Sequence, residues 1–194
     1  MAAKSSNERR WLERNKIALE PLREHTLAML PVFEARGLSS STYGLVRTRL
    51  AGPAWTALFD ALAEASVQKA SDLAPQHISN TAWAFATAKH ASPALFDALA
   101  EASVQKASDF DPQAIANTAW AFATAKHASP ALFDALAMDI ARRGGVAALR
   151  DRRATVAITE AFEAVGVPLP RAEKSAKKRK KQDASKAVEK KGRR

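Results

Sequence analysis

No cysteine occurs among the 194 residues, so neither a disulfide framework nor a thiolate metal site is available, and the chain suits a reducing interior. No apolar run reaches the roughly 20 residues needed to cross a bilayer, so membrane insertion is not expected. The opening MAAKSSNERRWLER also lacks the hydrophobic stretch of a secretory signal. Arg9, Arg10 and Arg14 in that segment suit an organelle address, while Glu8 and Glu13 break its acid-poor pattern. Runs of β-branched or aromatic residues alternating between turns are missing, which removes strands and leaves an all-α reading. There is no glycine-rich phosphate loop, Gly144-Gly145 being a linker pair, and no serine, histidine and acid fall in a recognisable catalytic order. Catalysis, a cofactor and a metal are therefore not expected.

What the chain does contain is a long internal repeat. Residues 58–94 read LFDALAEASVQKASDLAPQHISNTAWAFATAKHASPA, and residues 95–131 repeat them with four substitutions: Leu73 becomes Phe110, Ala74 becomes Asp111, His77 becomes Ala114 and Ser79 becomes Ala116. A third copy opens at Leu132 and decays. A fixed 37-residue period is the signature of a solenoid, whose units bury their apolar faces by stacking on one another. With 47% hydrophobic residues there is ample material for such a core.

Two helices are legible in each unit. Asp111 and Pro112 supply an N-cap and an opening proline for QAIANTAWAFATAK; Ser92 and Pro93 do the same for ALFDALAEASVQKA. Residues 7–36 carry helical pattern interrupted by Pro21 and Pro31, followed by a turn-like GLSSST at 37–42, and residues 43–51 align with the first helix of a unit while lacking its Trp and Asn. RDRRATVAITEAFEAVG reads as one more amphipathic helix ending at Gly166, with Pro168 and Pro170 beyond it. The expected domains are an N-terminal helical cap over 1–42, a solenoid over 43–166 (repeats 58–94 and 95–131, partial copy 132–166), and a disordered tail over 167–194.

The formal net charge of +10 is concentrated in that tail: residues 171–194 carry twelve Lys/Arg against three Asp/Glu, while residues 56–141 carry four against nine. The repeats alone therefore offer no electrostatic footprint for nucleic acid. The tail's Lys177, Lys178, Arg179, Lys180 and Lys181 fit phosphate binding, nuclear import and attachment to an anionic surface equally well.

On a helical wheel Ile78, Ala82, Phe85 and Ala86 form one packed face. Opposite them Gln76, Asn80, Trp83 and Thr87 form a column, repeated by Gln113, Asn117, Trp120 and Thr124 one unit on. An amide beside an indole, once per unit, is the combination that helical-repeat RNA readers use to hydrogen-bond a base edge and stack on its face. The same residues also serve a structural reading, with the tryptophans packing between units and the asparagines bonding the backbone of a neighbouring unit. His90 and His127 lie one unit apart, too far to share an ion, and both follow a lysine at a helix C-terminus, which favours a structural role.

The phrase PQ-x-I-x-NTAWAFATA-x-H-x-SP-x-LFDALA resembles the 37-residue heptatricopeptide-type repeats of algae and other protists, relatives of octotricopeptide repeats, of FAST kinase-like proteins and of trypanosome RNA-editing substrate-binding complex proteins. The resemblance covers about residues 55–141. It implies a short right-handed α-solenoid of antiparallel helix pairs that binds single-stranded organellar RNA. Such proteins usually carry more units, and often a RAP domain; here a lysine-rich tail follows the repeats. The resulting expectation is a non-enzymatic RNA-binding adaptor of RNA processing or stability in a mitochondrion or chloroplast, with possible protein partners. The alternative is a protein-binding scaffold whose tail is a nuclear address.

Overall fold

In a computed structural model, which describes residues 10, 11, 14, 17–48 and 52–169, the chain folds as eight α-helices with no strand among the described residues. They are α1 (Glu20–Met29), α2 (Ala35–Thr48), α3 (Pro53–Gln68), α4 (Pro75–Ala88), α5 (Pro93–Gln105), α6 (Pro112–Ala125), α7 (Pro130–Arg142) and α8 (Arg152–Ala164). Proline opens each of α3 to α7, a position where its missing N–H costs nothing and its fixed φ is already helical. The expected cap at Asp111 forms, its carboxylate accepting from Ala114 N at 2.6 Å, and Asp151 does the same for α8. Ser92 stands at the N-cap of α5 without a side-chain bond.

The helices alternate between two layers of an α-solenoid. In the A layer α2, α4, α6 and α8 lie side by side with their backbones close together; in the B layer α1, α3, α5 and α7 are spaced more widely. Small side chains permit the close approach. Ile78, Ala82, Phe85 and Ala86 are buried as the wheel predicts, and Ser79, Thr81 and Ala84 are buried too, because an interior A helix is flanked on both sides. One edge-to-face phenylalanine pair ties each of α3, α5 and α7 to the A helix that follows it: Phe59–Phe85 at 5.6 Å, Phe96–Phe122 at 5.0 Å and Phe133–Phe162 at 5.1 Å between ring centroids.

Two expectations need correction. The segment GLSSST is not a turn but lies inside α2. Its hydroxyls are satisfied by backbone, Thr42 Oγ1 donating to Leu38 O at 2.8 Å and Ser39 Oγ to His77 O at 3.2 Å, so they pack at the junction with α4 as small residues do. Leu38, Thr42, Leu45 and Val46 then take the places of Ile78, Ala82, Phe85 and Ala86, at an offset of 40 rather than 37. The extra three residues lengthen α3 at its N-terminus: Pro53 precedes the shared Leu-Phe-Asp by five residues, where Pro93 precedes it by two. A second offset of 40 relates α6 to α8, absorbed by the connection that holds Gly144, Gly145 and the 3-10 turn Val146–Leu149.

The junctions between units are bridged by cations. Lys69 Nζ donates to Phe33 O at 2.6 Å, Lys106 Nζ to Ser71 O and Leu73 O at 2.5 and 2.8 Å, and Arg143 to Ser108 O and Phe110 O at 3.1 and 2.7 Å. Each of the three follows the last turn of a B helix and grips the connection one unit back. Replacing Lys106 by Met keeps the apolar stem and removes these charge-assisted bonds. The expected loss is about 1.5 kcal/mol, the low end for bonds to a charged group because water reaches the freed carbonyls, with Lys106→Arg close to the parent. Thermal unfolding checks this; a Met variant as stable as the parent would show that the rung carries no stability.

α4, α6 and α8 each end at a left-handed residue whose successor donates back five positions: His90 N to Phe85 O and His127 N to Phe122 O, both 3.1 Å, and Val167 N to Phe162 O at 3.0 Å. That residue is Gly166 after α8 but lysine after α4 and α6, Lys89 and Lys126 both having φ 54. For a residue with a Cβ this conformation costs about 1 kcal/mol.

Candidate functional site

Burial on both flanks leaves each interior A helix one exposed strip, and the two columns occupy it. Gln76 and Thr87 are exposed on α4, with Asn80 and Trp83 half-buried between them; Gln113, Asn117, Trp120 and Thr124 repeat this on α6. Because α4 and α6 are neighbours, the structure brings the two columns together as one surface. The tryptophans are neither free-standing nor enclosed: each packs partly against the core and presents the rest outward. Gln113 Nε2 donates to Asn117 Oδ1 at 2.8 Å, which leaves the Asn117 amide N–H groups for an outside acceptor. Neither asparagine bonds the backbone of a neighbouring unit among the described residues. That bridging belongs to Lys69, Lys106 and Arg143 instead.

The offset of 40 adds residues that a strict 37-residue period conceals. On α2 the column positions hold Arg36, Ser40, Tyr43 and Arg47; on α8 they hold Arg153, Ala157, Glu160 and Ala164. Tyr43 takes the tryptophan position, its ring 5.3 Å from that of Trp83 at an interplanar angle of 39°, and the Arg47 guanidinium lies 5.8 Å from the Tyr43 centroid. The strip is thus uncharged on α4 and α6, carries arginines on α2, and is mixed on α8. The spacing of the buried residues Leu38, Thr42, Leu45 and Val46 is the signal by which Tyr43 could have been found.

The histidines lie away from this strip. His90 Nε2 is 2.8 Å from Asp60 Oδ1 and its ring stacks on Phe59 at 5.3 Å; His127 is 2.8 Å from Asp97 Oδ1, with its ring 5.5 Å from Phe96. Each therefore ties the end of an A helix to the B helix of its own unit. Among the described residues no group of three His, Asp or Glu side chains converges as an ion's ligands would. Also among them, no helix is long and apolar enough to cross a membrane.

Lys177, Lys178, Arg179, Lys180 and Lys181 lie outside the described residues. The described chain reaches Leu169, with Val167 and Leu169 packed against the core. No curated protein matches the chain. The family model of the RNA-editing substrate-binding complex 6 protein matches residues 18–155, from the turn before α1 to the first turn of α8. With well over half of its length matched across the same helical stack, the chain belongs to the RNA-editing substrate-binding complex 6 protein family.

Proposed function

We propose that the protein is a non-enzymatic adaptor that binds single-stranded RNA in RNA editing or a related processing step, in a mitochondrion, and that its repeats are of the heptatricopeptide type. The observation that carries this reading is the pair of amide and indole columns exposed side by side on α4 and α6. Family membership supports it, since the matching model describes a component of an RNA-editing substrate-binding complex. In this reading the indoles of Trp83 and Trp120 stack on bases, Asn80 and Asn117 hydrogen-bond base edges, and the tail's cations neutralise phosphates without regard to sequence.

A protein partner fits the opposite face. Glu64, Glu101 and Asp134 are exposed on the B helices, so that layer presents an acidic surface suited to a basic polypeptide. An adaptor can use both faces at once, RNA on the A layer and protein on the B layer.

The test is the double substitution Asn80→Ala and Asn117→Ala, measured against a panel of short single-stranded RNAs. Preference among sequences should shrink by about 1 kcal/mol per column, the net worth of a hydrogen bond, while the salt dependence stays that of the parent because phosphate contacts are untouched. Unchanged preference in a stably folded variant would make the columns structural and leave the scaffold reading in their place.

A further inference from the structure

The lysines at the ends of α4 and α6 are unexplained by folding. After α8 the same left-handed position is held by Gly166, φ 72, so the backbone accepts the residue that adopts this conformation without strain. Both repeat units hold a lysine there instead. Neither the Lys89 nor the Lys126 ammonium has a partner among the described residues, whereas Lys69 and Lys106, the other lysines of the repeats, are bound to carbonyls.

Each of these lysines lines a cleft between the ends of successive A helices. The first, about 470 Å³, sets Lys89, His90, Ser92, Thr124, Lys126 and His127 beside apolar residues that include Phe85, Pro93 and Phe96. The second, about 270 Å³, repeats it one unit on with Lys126, His127, Ser129 and Val167. No carboxylate lines either cleft. The acids at this end, Asp60 and Asp97, are engaged by the imidazole Nε2 atoms at 2.8 Å. Ser92 and Ser129 cap no helix, so their hydroxyls remain available as donors. Two further facts connect the clefts to RNA rather than to a generic anion. Thr124 belongs both to the α6 column and to the wall of the first cleft. Val167, in the wall of the second, lies four residues before the sequence segment 171–194 with its twelve Lys/Arg.

We infer that the two clefts seat successive phosphates of a single-stranded RNA, contacted by Lys89 and Lys126, while the columns beside them face its bases. The inference rests on the RNA reading above and adds the path of the backbone: along the C-terminal ends of α4, α6 and α8, one cleft per unit, as far as Val167.

The experiment is binding of the full chain to a single-stranded oligouridylate across about 50 to 200 mM salt, comparing the parent with Lys89→Gly plus Lys126→Gly. Each single-strand phosphate contact contributes about 0.7 to the slope of log K against log salt, so losing two should make the slope shallower by about 1.4. Across that fourfold range the parent should then lose about sevenfold more affinity than the variant. Tm should stay level or rise, because glycine suits the left-handed position. Lys89→Gln with Lys126→Gln, which keeps the backbone strain and removes only charge, must give the same change in slope. If the parent binds and either variant keeps its full slope, the clefts do not hold phosphate although the RNA reading stands. If the parent does not bind the oligonucleotide, the RNA reading fails and takes the inference with it. Binding of poly-glutamate that loses the same slope in the variants would overturn the phosphate assignment in favour of an acidic polypeptide.

Discussion

Replacing Phe122 by alanine is expected to destabilise the fold by about 3 to 5 kcal/mol, a large share of the stability of a domain this size. The ring is fully buried on α6, meets Phe96 edge-on at 5.0 Å and has His127 5.8 Å away at 72°, so truncation removes a packed aromatic pair and opens a cavity that close-packed A helices cannot collapse around. Stacking makes the position more sensitive still, because a solenoid unit contributes through both of its interfaces and α6 has neighbours on either side. Urea unfolding should show a lower midpoint with little change in slope. Phe162→Ala, in the last helix, should cost less in the same assay because α8 has an A-layer neighbour on one side only among the described residues. A loss under about 1 kcal/mol at Phe122 would contradict the central place given to the phenylalanine pairs.

The second large effect is on binding. Trp83→Ala with Trp120→Ala should weaken every single-stranded RNA by about 2 to 6 kcal/mol, from two lost stacking platforms at about 1 to 3 kcal/mol each. Both indoles also pack partly against the core, so the alanine pair will lose stability as well, and binding must be measured well below its unfolding temperature. Trp83→Phe with Trp120→Phe separates the two roles: a smaller aromatic face still stacks, and most affinity should remain. An alanine pair that folds and binds RNA like the parent would remove the tryptophans from the interface. Tyr43, its ring 5.3 Å from that of Trp83, extends the row of rings, so in the proposed reading Tyr43→Ala should weaken binding further.

The helices α4 to α7 could be read directly from the residues because Pro75, Pro93, Pro112 and Pro130 open them in a repeat that doubles every signal. The buried face through Phe85 was likewise legible, since apolar residues recurring at helical spacing mark the side of a helix that packs. The start of α2 was not. Serine and threonine in Ser39–Ser40–Ser41–Thr42 carry a turn-like composition, and only the tertiary contacts of Ser39 and Thr42 reveal that small hydroxyls can fill a close helix junction. Misplacing that helix by three residues hid Tyr43 and Arg47 from the strip. The Lys69, Lys106 and Arg143 rungs were equally invisible: a lysine at a helix end reads as solvated, and its grip on a carbonyl one unit back depends on how the units stack. For the columns, the wheel set Trp83 among the polar residues and left packing between units open to it, and the structure finds it half in each environment.

The two full repeats bury corresponding positions in spite of their differences, Leu73 and Phe110 alike and Ser79 and Ala116 alike, and the spacing of 40 occurs only where α2 precedes α4 and α8 follows α6. The interior can therefore lengthen or shorten by whole copies of 37 residues while using the same kind of interface, and α2 and α8 keep their own fitted geometry. Each added copy would bring its own proline-opened helix pair, its own indole and its own left-handed lysine. The length of strand engaged would then be a property inherited by duplication, one step at a time, rather than one redesigned at each change of target.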